Sequence, residues 1–171
     1  MTASDRAGIE DLFAYTEFSW NQIITAIADH GGDELLVRPA PGSGWPALRD
    51  CLGHTMAAYY RWLTEPVPPV PDVDRATHAT LAQIADHRAK VRAAFRARLD
   101  VSDDELLTVR DVNVDGEMLP YSRGELLTHL LLHERGHHGD VTTLFYQLGI
   151  EPDTQLEYRF HLLAQRGLSL T

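Results

Sequence analysis

Nine histidines occur in the chain, and four of them, His129, His133, His137 and His138, fall within ten consecutive residues. His133 and His137 are four apart. On a helix that spacing sets one imidazole a turn above the other, where two rings can share one metal ion. With His133 taken as zero and about 100° per residue, His137 lies at about +40°, Asp140 at about −20°, His129 at about −40° and His138 at about +140°. Leu126, Leu130 and Leu144 fall between about +20° and +60°. The pair is therefore expected to point with these leucines into the core, with Asp140 on the same face, His129 at its edge and His138 turned to solvent. One histidine on an apolar stripe is usually a satisfied core residue. Two stacked rings must each find a partner or suffer desolvation, which favours a shared ion.

A metal ion needs a further ligand from a facing helix. His54 offers one, because its neighbours Ala47, Cys51, Ala57 and Ala58 are small and leave room for an ion and its ligand. Cys51, a turn away, can ligate in principle, but a small buried hydrophobe is its plainer role. His30, His78, His87 and His161 stand near helix ends or on polar faces and are not expected to bind metal. Three neutral imidazoles leave open positions on a divalent ion, which then lowers the pKa of a water or thiol or polarises a carbonyl. Such a donor set suits zinc, and equally nickel, copper or iron(II). Residues 133–137, H-E-R-G-H, also satisfy the short HExxH pattern, in which Glu134 is a general base. The longer form of that pattern is missing, since Val141-Thr142-Thr143 supply neither its glycine nor its third histidine.

The elements that must position these groups read as helices. Ile9, Phe13, Thr16, Trp20, Ile23 and Ile27 form one stripe, giving a helix from about residue 4 to about residue 29, stopped by Gly31-Gly32. Residues 38–46, RPAPGSGWP, are a loop, and Pro46 suits the first turn of a second helix that runs to about residue 63. Pro66 to Pro71 cannot be helix or central strand. A third helix is expected over about 77–99. Val109, Val112 and Val114 before Asp115-Gly116 point to a short hairpin over about 107–121. Ser122 and Glu125 then make a capping-box pattern that opens the histidine-bearing helix, and Gly149 closes it. A short helix over about 154–166 follows. The expected fold is all-α: a four-helix bundle with a short irregular hairpin before the last long helix, as one domain over residues 1–171.

Composition narrows the function. Fifteen basic against 25 acidic residues leave a formal charge of −10, which argues against nucleic acid or an anionic membrane as the partner. No apolar run is long enough for a membrane span, and Asp5, Arg6, Glu10 and Asp11 stand where a signal peptide needs an apolar stretch. The single cysteine excludes an internal disulfide framework. The expected compartment is the cytoplasm and the expected partner a small-molecule substrate.

The segments LRDCLGHTMAAYYRWL (48–63) and LLTHLLLHERGHHGDVTTLFYQLGIEP (126–152) resemble the DinB/YfiT-like superfamily, whose pattern is H-x3-H-E-x2-H with a terminal L-G-x-x-P. The resemblance implies a four-helix bundle, usually homodimeric, with a divalent ion held by three histidines that correspond to His54, His133 and His137. Asp140 stands where the family often has Gln, His138 where it often has Arg, and Pro46 where Ser or Thr commonly opens the helix. Members include transferases and isomerases that use low-molecular-weight thiols such as bacillithiol or mycothiol, and others are classed as metal-dependent hydrolases. The expectation is a metal-dependent enzyme, with zinc or nickel, that transfers a low-molecular-weight thiol to a small electrophile, Asp140 or Glu134 taking the thiol's proton. The alternatives are a metal-dependent hydrolase of a small molecule and a non-catalytic metal- or ligand-binding protein.

Overall fold

A computed structural model describes residues 5–42, 44–63, 78–114 and 117–168, leaving aside the side chains of Arg61 and Val114. In chain order the elements are α1 (Arg6–Asp29), α2 (Asp33–Val37), α3 (Leu48–Leu63), α4 (Leu81–Leu99), α5 (Asp103–Leu107), β1 (Val109–Val114), β2 (Glu117–Ser122), α6 (Arg123–Gln147) and α7 (Tyr158–Gln165). The four long helices α1, α3, α4 and α6 lie where the apolar periodicity puts them. Two five-residue helices, α2 and α5, are additions that the periodicity does not reveal. Pro66–Pro71 and the Asp115-Gly116 turn lie outside the described residues. β1 and β2 nevertheless pair antiparallel from Val109 opposite Ser122 to Val114 opposite Glu117, so the hairpin is present.

The ends of α6 are set by local chemistry. The Glu125 amide donates to Ser122 Oγ (3.2 Å) and the Ser122 amide donates to Glu125 Oε2 (2.7 Å), a reciprocal cap. At the other end Gly149 takes φ 75°, and the Ile150 and Gly149 amides donate to the Phe145 and Tyr146 carbonyls. A side chain would strain that left-handed turn, which is why glycine ends the helix here. Thr80 and Gln83 cap α4 in the same reciprocal way. Pro46 stands just ahead of α3 rather than in its first turn, and its carbonyl accepts from the Ala40 amide, closing the preceding loop.

α6 packs between α1 and α3, and α4 packs on α3. The shared core holds Ile9, Phe13, Ile23 and Ile27 of α1, Leu52 and Met56 of α3, Val91 and Phe95 of α4, and Leu127, Leu131, Val141 and Phe145 of α6. Each such side chain contributes about 1.5–3 kcal/mol by leaving water. The chain after α6 is drawn back over α1: Tyr15 Oη donates to the Leu156 carbonyl (2.6 Å), and the Gln22 side-chain amide exchanges two hydrogen bonds with the Gln155 backbone. Among the described residues no helix is long and apolar enough to cross a membrane.

Candidate metal centre

His54 of α3 meets His133 and His137 of α6 where the two helices pack. Ring centroids are 4.8 Å apart for His54–His137, 4.5 Å for His133–His137 and 5.5 Å for His54–His133. One ligand nitrogen from each ring falls within 4.8 Å of the other two. His133 Nε2 and His137 Nε2 face each other at 3.3 Å. Two nitrogens bound to one tetrahedral ion at ordinary bond lengths sit about 3.3 Å apart. A single proton serves that contact poorly, because the nitrogens stand beyond good hydrogen-bond length, whereas one cation serves both lone pairs. The donor set and its spacing therefore fit a divalent ion.

Two further groups prepare these rings. The His137 Nδ1–H donates to Asp140 Oδ2 (2.8 Å), which fixes the tautomer and leaves the Nε2 lone pair for the ion. Asp140 Oδ2 also accepts from Trp45 Nε1 (3.1 Å). The Trp45 indole lies against His54 and His137, at centroid distances of 5.0 and 5.4 Å, and covers one side of the group. Burial, then the neighbouring His137, His54 and His129 rings, press the His133 pKa from 6.5 down to about 4. At neutral pH the ring is thus in the unprotonated form that a metal requires.

Cys51 lies beside His137, and its Sγ, a His137 nitrogen and an Asp140 oxygen also fall within 4.8 Å of one another. The thiol is fully buried and approaches the His137 carbonyl at 3.7 Å. Burial and then the charges of Asp140 and Asp50 push its pKa well up, so it stays a neutral thiol and packs as the small hydrophobe expected of it.

The structure does not turn the Glu134 carboxylate toward the group formed by His54, His133 and His137. Its side chain is 0% exposed, and its oxygens are occupied elsewhere. Oε1 accepts from Arg88 Nη1 and Arg92 Nη2 (2.8 Å each), and Oε2 accepts from Arg92 Nη2 (2.8 Å) and Tyr59 Oη (2.5 Å). Burial alone would raise this carboxyl, but the two guanidinium groups outweigh it and hold the pKa well below the usual range. His138 corrects a second expectation. It is buried, at 1% exposed, with Nδ1 accepting from Arg135 Nη1 (2.9 Å) and Nε2 3.4 Å from Glu134 Oε1. Both corrections have one cause. The buried stripe of α6 runs through Leu127, Leu131, Glu134, His138, Val141 and Phe145. Its centre lies about 100° round the helix from His133, so His133, His137 and Asp140 flank the core rather than pointing into it. His129, at the edge of the group, is exposed and packs its ring on Trp62 at 4.8 Å.

Sequence reasoning also missed His78 and His87, which are buried rather than on polar faces. Their rings stack, with His87 Nδ1 2.8 Å from His78 Nε2 and Tyr60 stacked on His87. His161 is buried as well, against Tyr15, Phe18 and Tyr158. His87 follows Ile84 by three and precedes Val91 by four, so its place on the apolar side of α4 was legible from spacing.

Residues 15–141 match the family model of the DinB superfamily. Comparison with curated proteins finds no match.

Proposed function

The chain belongs to the DinB superfamily, and from that premise we propose that it is a metal-dependent enzyme transferring a low-molecular-weight thiol to a small electrophile, with His54, His133 and His137 holding zinc or nickel. The observation that carries the reading is the convergence of three imidazoles, two of them with Nε2 atoms 3.3 Å apart. Bound there, a divalent ion supplies Lewis acidity that favours a thiolate at neutral pH. The chain's own groups do the rest. Asp140 orients His137 through Nδ1, and its partly exposed carboxylate takes the thiol's proton. Trp45 keeps water from one side of the rings and braces Asp140. Glu134 has no part in the proton transfer, because its oxygens are committed to Arg88, Arg92 and Tyr59. In this reading the protein is a single-domain cytoplasmic homodimer acting on a small molecule. Leu132 and Tyr146, both well exposed on the outer side of α6, suit a subunit contact.

The test is an assay of metal-loaded protein with a panel of small electrophiles, with and without bacillithiol, mycothiol or glutathione, beside ester and amide substrates. Thiol-dependent turnover that disappears in His133→Ala supports the reading. Thiol-independent hydrolysis that disappears in the same variant replaces it with hydrolysis, and metal binding without turnover on any arm points to a binding protein.

A further inference from the structure

All four long helices send a polar side chain to one buried point beside the candidate metal centre. Glu17 comes from α1, Tyr59 from α3, Arg88 and Arg92 from α4, and Glu134 from α6. Glu17 Oε1 is 2.5 Å from Arg88 Nη2 and 2.6 Å from Arg92 Nε, and Arg92 Nη1 donates to Tyr59 Oη (2.8 Å). Tyr59 in turn donates to Glu134 at 2.5 Å. The Arg88 guanidinium carbon lies over the Trp20 ring of α1, 3.6 Å from its centre. Tyr59, Arg88, Arg92 and Glu134 are all buried, and only Glu17 reaches solvent.

The placement of this cluster relative to the ligands is specific. Glu134 is the next residue after His133. Tyr59 follows His54 on the same helix by five. α3 and α6 run antiparallel, with Cys51 beside His137, His54 beside His133 and Trp62 beside His129. The Tyr59–Glu134 bond is therefore a direct polar tie between the two helices that carry the ligands, placed within two turns of all three. Apolar contacts between α3 and α6 tolerate a small slide, because one leucine surface resembles another. The tie does not, because a slide strands an ionised carboxylate away from water and from its donors.

We infer that Glu134 is the positioning residue of the three-histidine group: through Tyr59, Arg88 and Arg92 it fixes the register of α3 against α6 and so holds His54 opposite His133 and His137. This rests on the metal-site reading above and adds to it a role for the carboxylate that the HExxH spacing would make a base. The Glu134 carboxylate makes no contact with a ligand ring and acts through where the helices sit.

The experiment uses Co2+ as the probe, reading affinity by titration and geometry by the visible ligand-field band, with thermal melts of the metal-free proteins alongside. Glu134→Gln alone leaves two buried arginines to share the single carboxylate of Glu17 and can fail to fold. The deciding variant therefore replaces the cluster with apolar groups of similar volume, Tyr59→Phe, Arg88→Met, Arg92→Leu and Glu134→Leu together, an exchange that buried ion clusters often tolerate without loss of stability. A second variant, Tyr59→Phe alone, cuts the tie and leaves the ion pairs. Leu106→Ala, a core change in α5 away from the ligands, is the control for general destabilisation. The expected result is a cooperative melt in the apolar variant with Co2+ affinity lowered about tenfold or more and a shifted band, a smaller change of the same kind in Tyr59→Phe, and unchanged Co2+ binding in Leu106→Ala. Wild-type affinity and band in the apolar variant would overturn the inference; if that variant does not fold, wild-type binding by Tyr59→Phe does so. Absence of Co2+ binding by the wild type would overturn the metal-site reading and this inference with it.

Discussion

Exchanging His133 for Asn should flatten the acid limb of the metal-free protein's stability curve. In the folded chain burial, followed by the rings of His137, His54 and His129, presses the His133 pKa from 6.5 to about 4. Unfolding returns the ring to water, where it titrates near its ordinary value. The unfolded chain thus binds the proton more tightly than the folded one. The stability that follows from this is full above about pH 6.5 and is lost as the pH falls toward 4. At about 1.4 kcal/mol per pKa unit, a fully sealed ring would lose roughly 3 kcal/mol across that window. His133 is only partly buried, so solvent screening reduces the expected loss to about 1–2 kcal/mol. His138 is pressed down as well, chiefly by burial, and adds its own acid loss to both proteins. The comparison between them is therefore what isolates His133. Urea melts of chelator-treated wild type and His133→Asn, taken in steps from about pH 7 to about pH 4, should show the variant gaining about 1–2 kcal/mol on the wild type over the series. Parallel curves would refute the argument that the ring is held neutral by its surroundings.

Alanine at His54, His133 or His137 should each abolish stoichiometric metal in protein purified without a histidine tag, whereas His30→Ala should retain it; elemental analysis decides. Asp140→Asn should keep most of the metal and lower turnover about ten- to a hundredfold, because in the proposed function the carboxylate orients His137 and takes a proton without being a ligand; a fall in metal affinity of the same size as the fall in rate would make it a ligand instead. Gly136→Ala and Gly139→Ala should each raise stability by about 0.5–1 kcal/mol in urea melts, since both glycines lie inside α6 and a Cβ at either would meet nothing within 4 Å. Cys51 should resist iodoacetamide in the folded protein at mildly alkaline pH and react fully in denaturant, as its buried thiol is held protonated.

Periodicity made the four long helices legible, because their apolar stripes persist for several turns, and both ends of α6 carried signals of their own, Ser122 with Glu125 and Gly149. His133 and His137 were legible for a related reason, since a four-residue spacing on one helix has few explanations, and His54 was legible from the small residues around it. Reading the rotation of α6 was harder. Leu130 and Leu144 lie between the core direction and the metal direction, so their positions suit either choice, and counting Glu134 and His138 as polar pulled the estimate away from the true centre. What reverses that estimate is tertiary. Arg88 sits on the apolar stripe of α4, four after Ile84 and three before Val91, and only the fold shows that its charge meets the carboxylate of Glu134. α2 and α5 escaped notice because five residues are too few for a periodic signal; α5 is begun by Ser102, whose hydroxyl accepts from the Glu105 amide.

One peptide step separates two opposite uses of a buried polar group. His133 is kept uncharged, by burial and by neighbouring rings whose positive forms would repel its own. Glu134 is kept charged, because two guanidinium groups overcome the cost of burial. The two conditions support each other. A lone carboxylate at position 134 would either take up a proton or draw one onto the adjacent imidazole, and a protonated imidazole does not bind metal. Committing the carboxylate to Arg88 and Arg92 satisfies its charge about 100° away round the helix from the face that carries His133, His137 and Asp140. α6 therefore carries two polar faces, one closed and ionised, the other open and available to a cation. A motif with its glutamate on the ligand face would have supplied a base. Here the packing of Glu134 against α4 commits it to the tie between the helices, and in the proposed function proton transfer at the open face falls to Asp140.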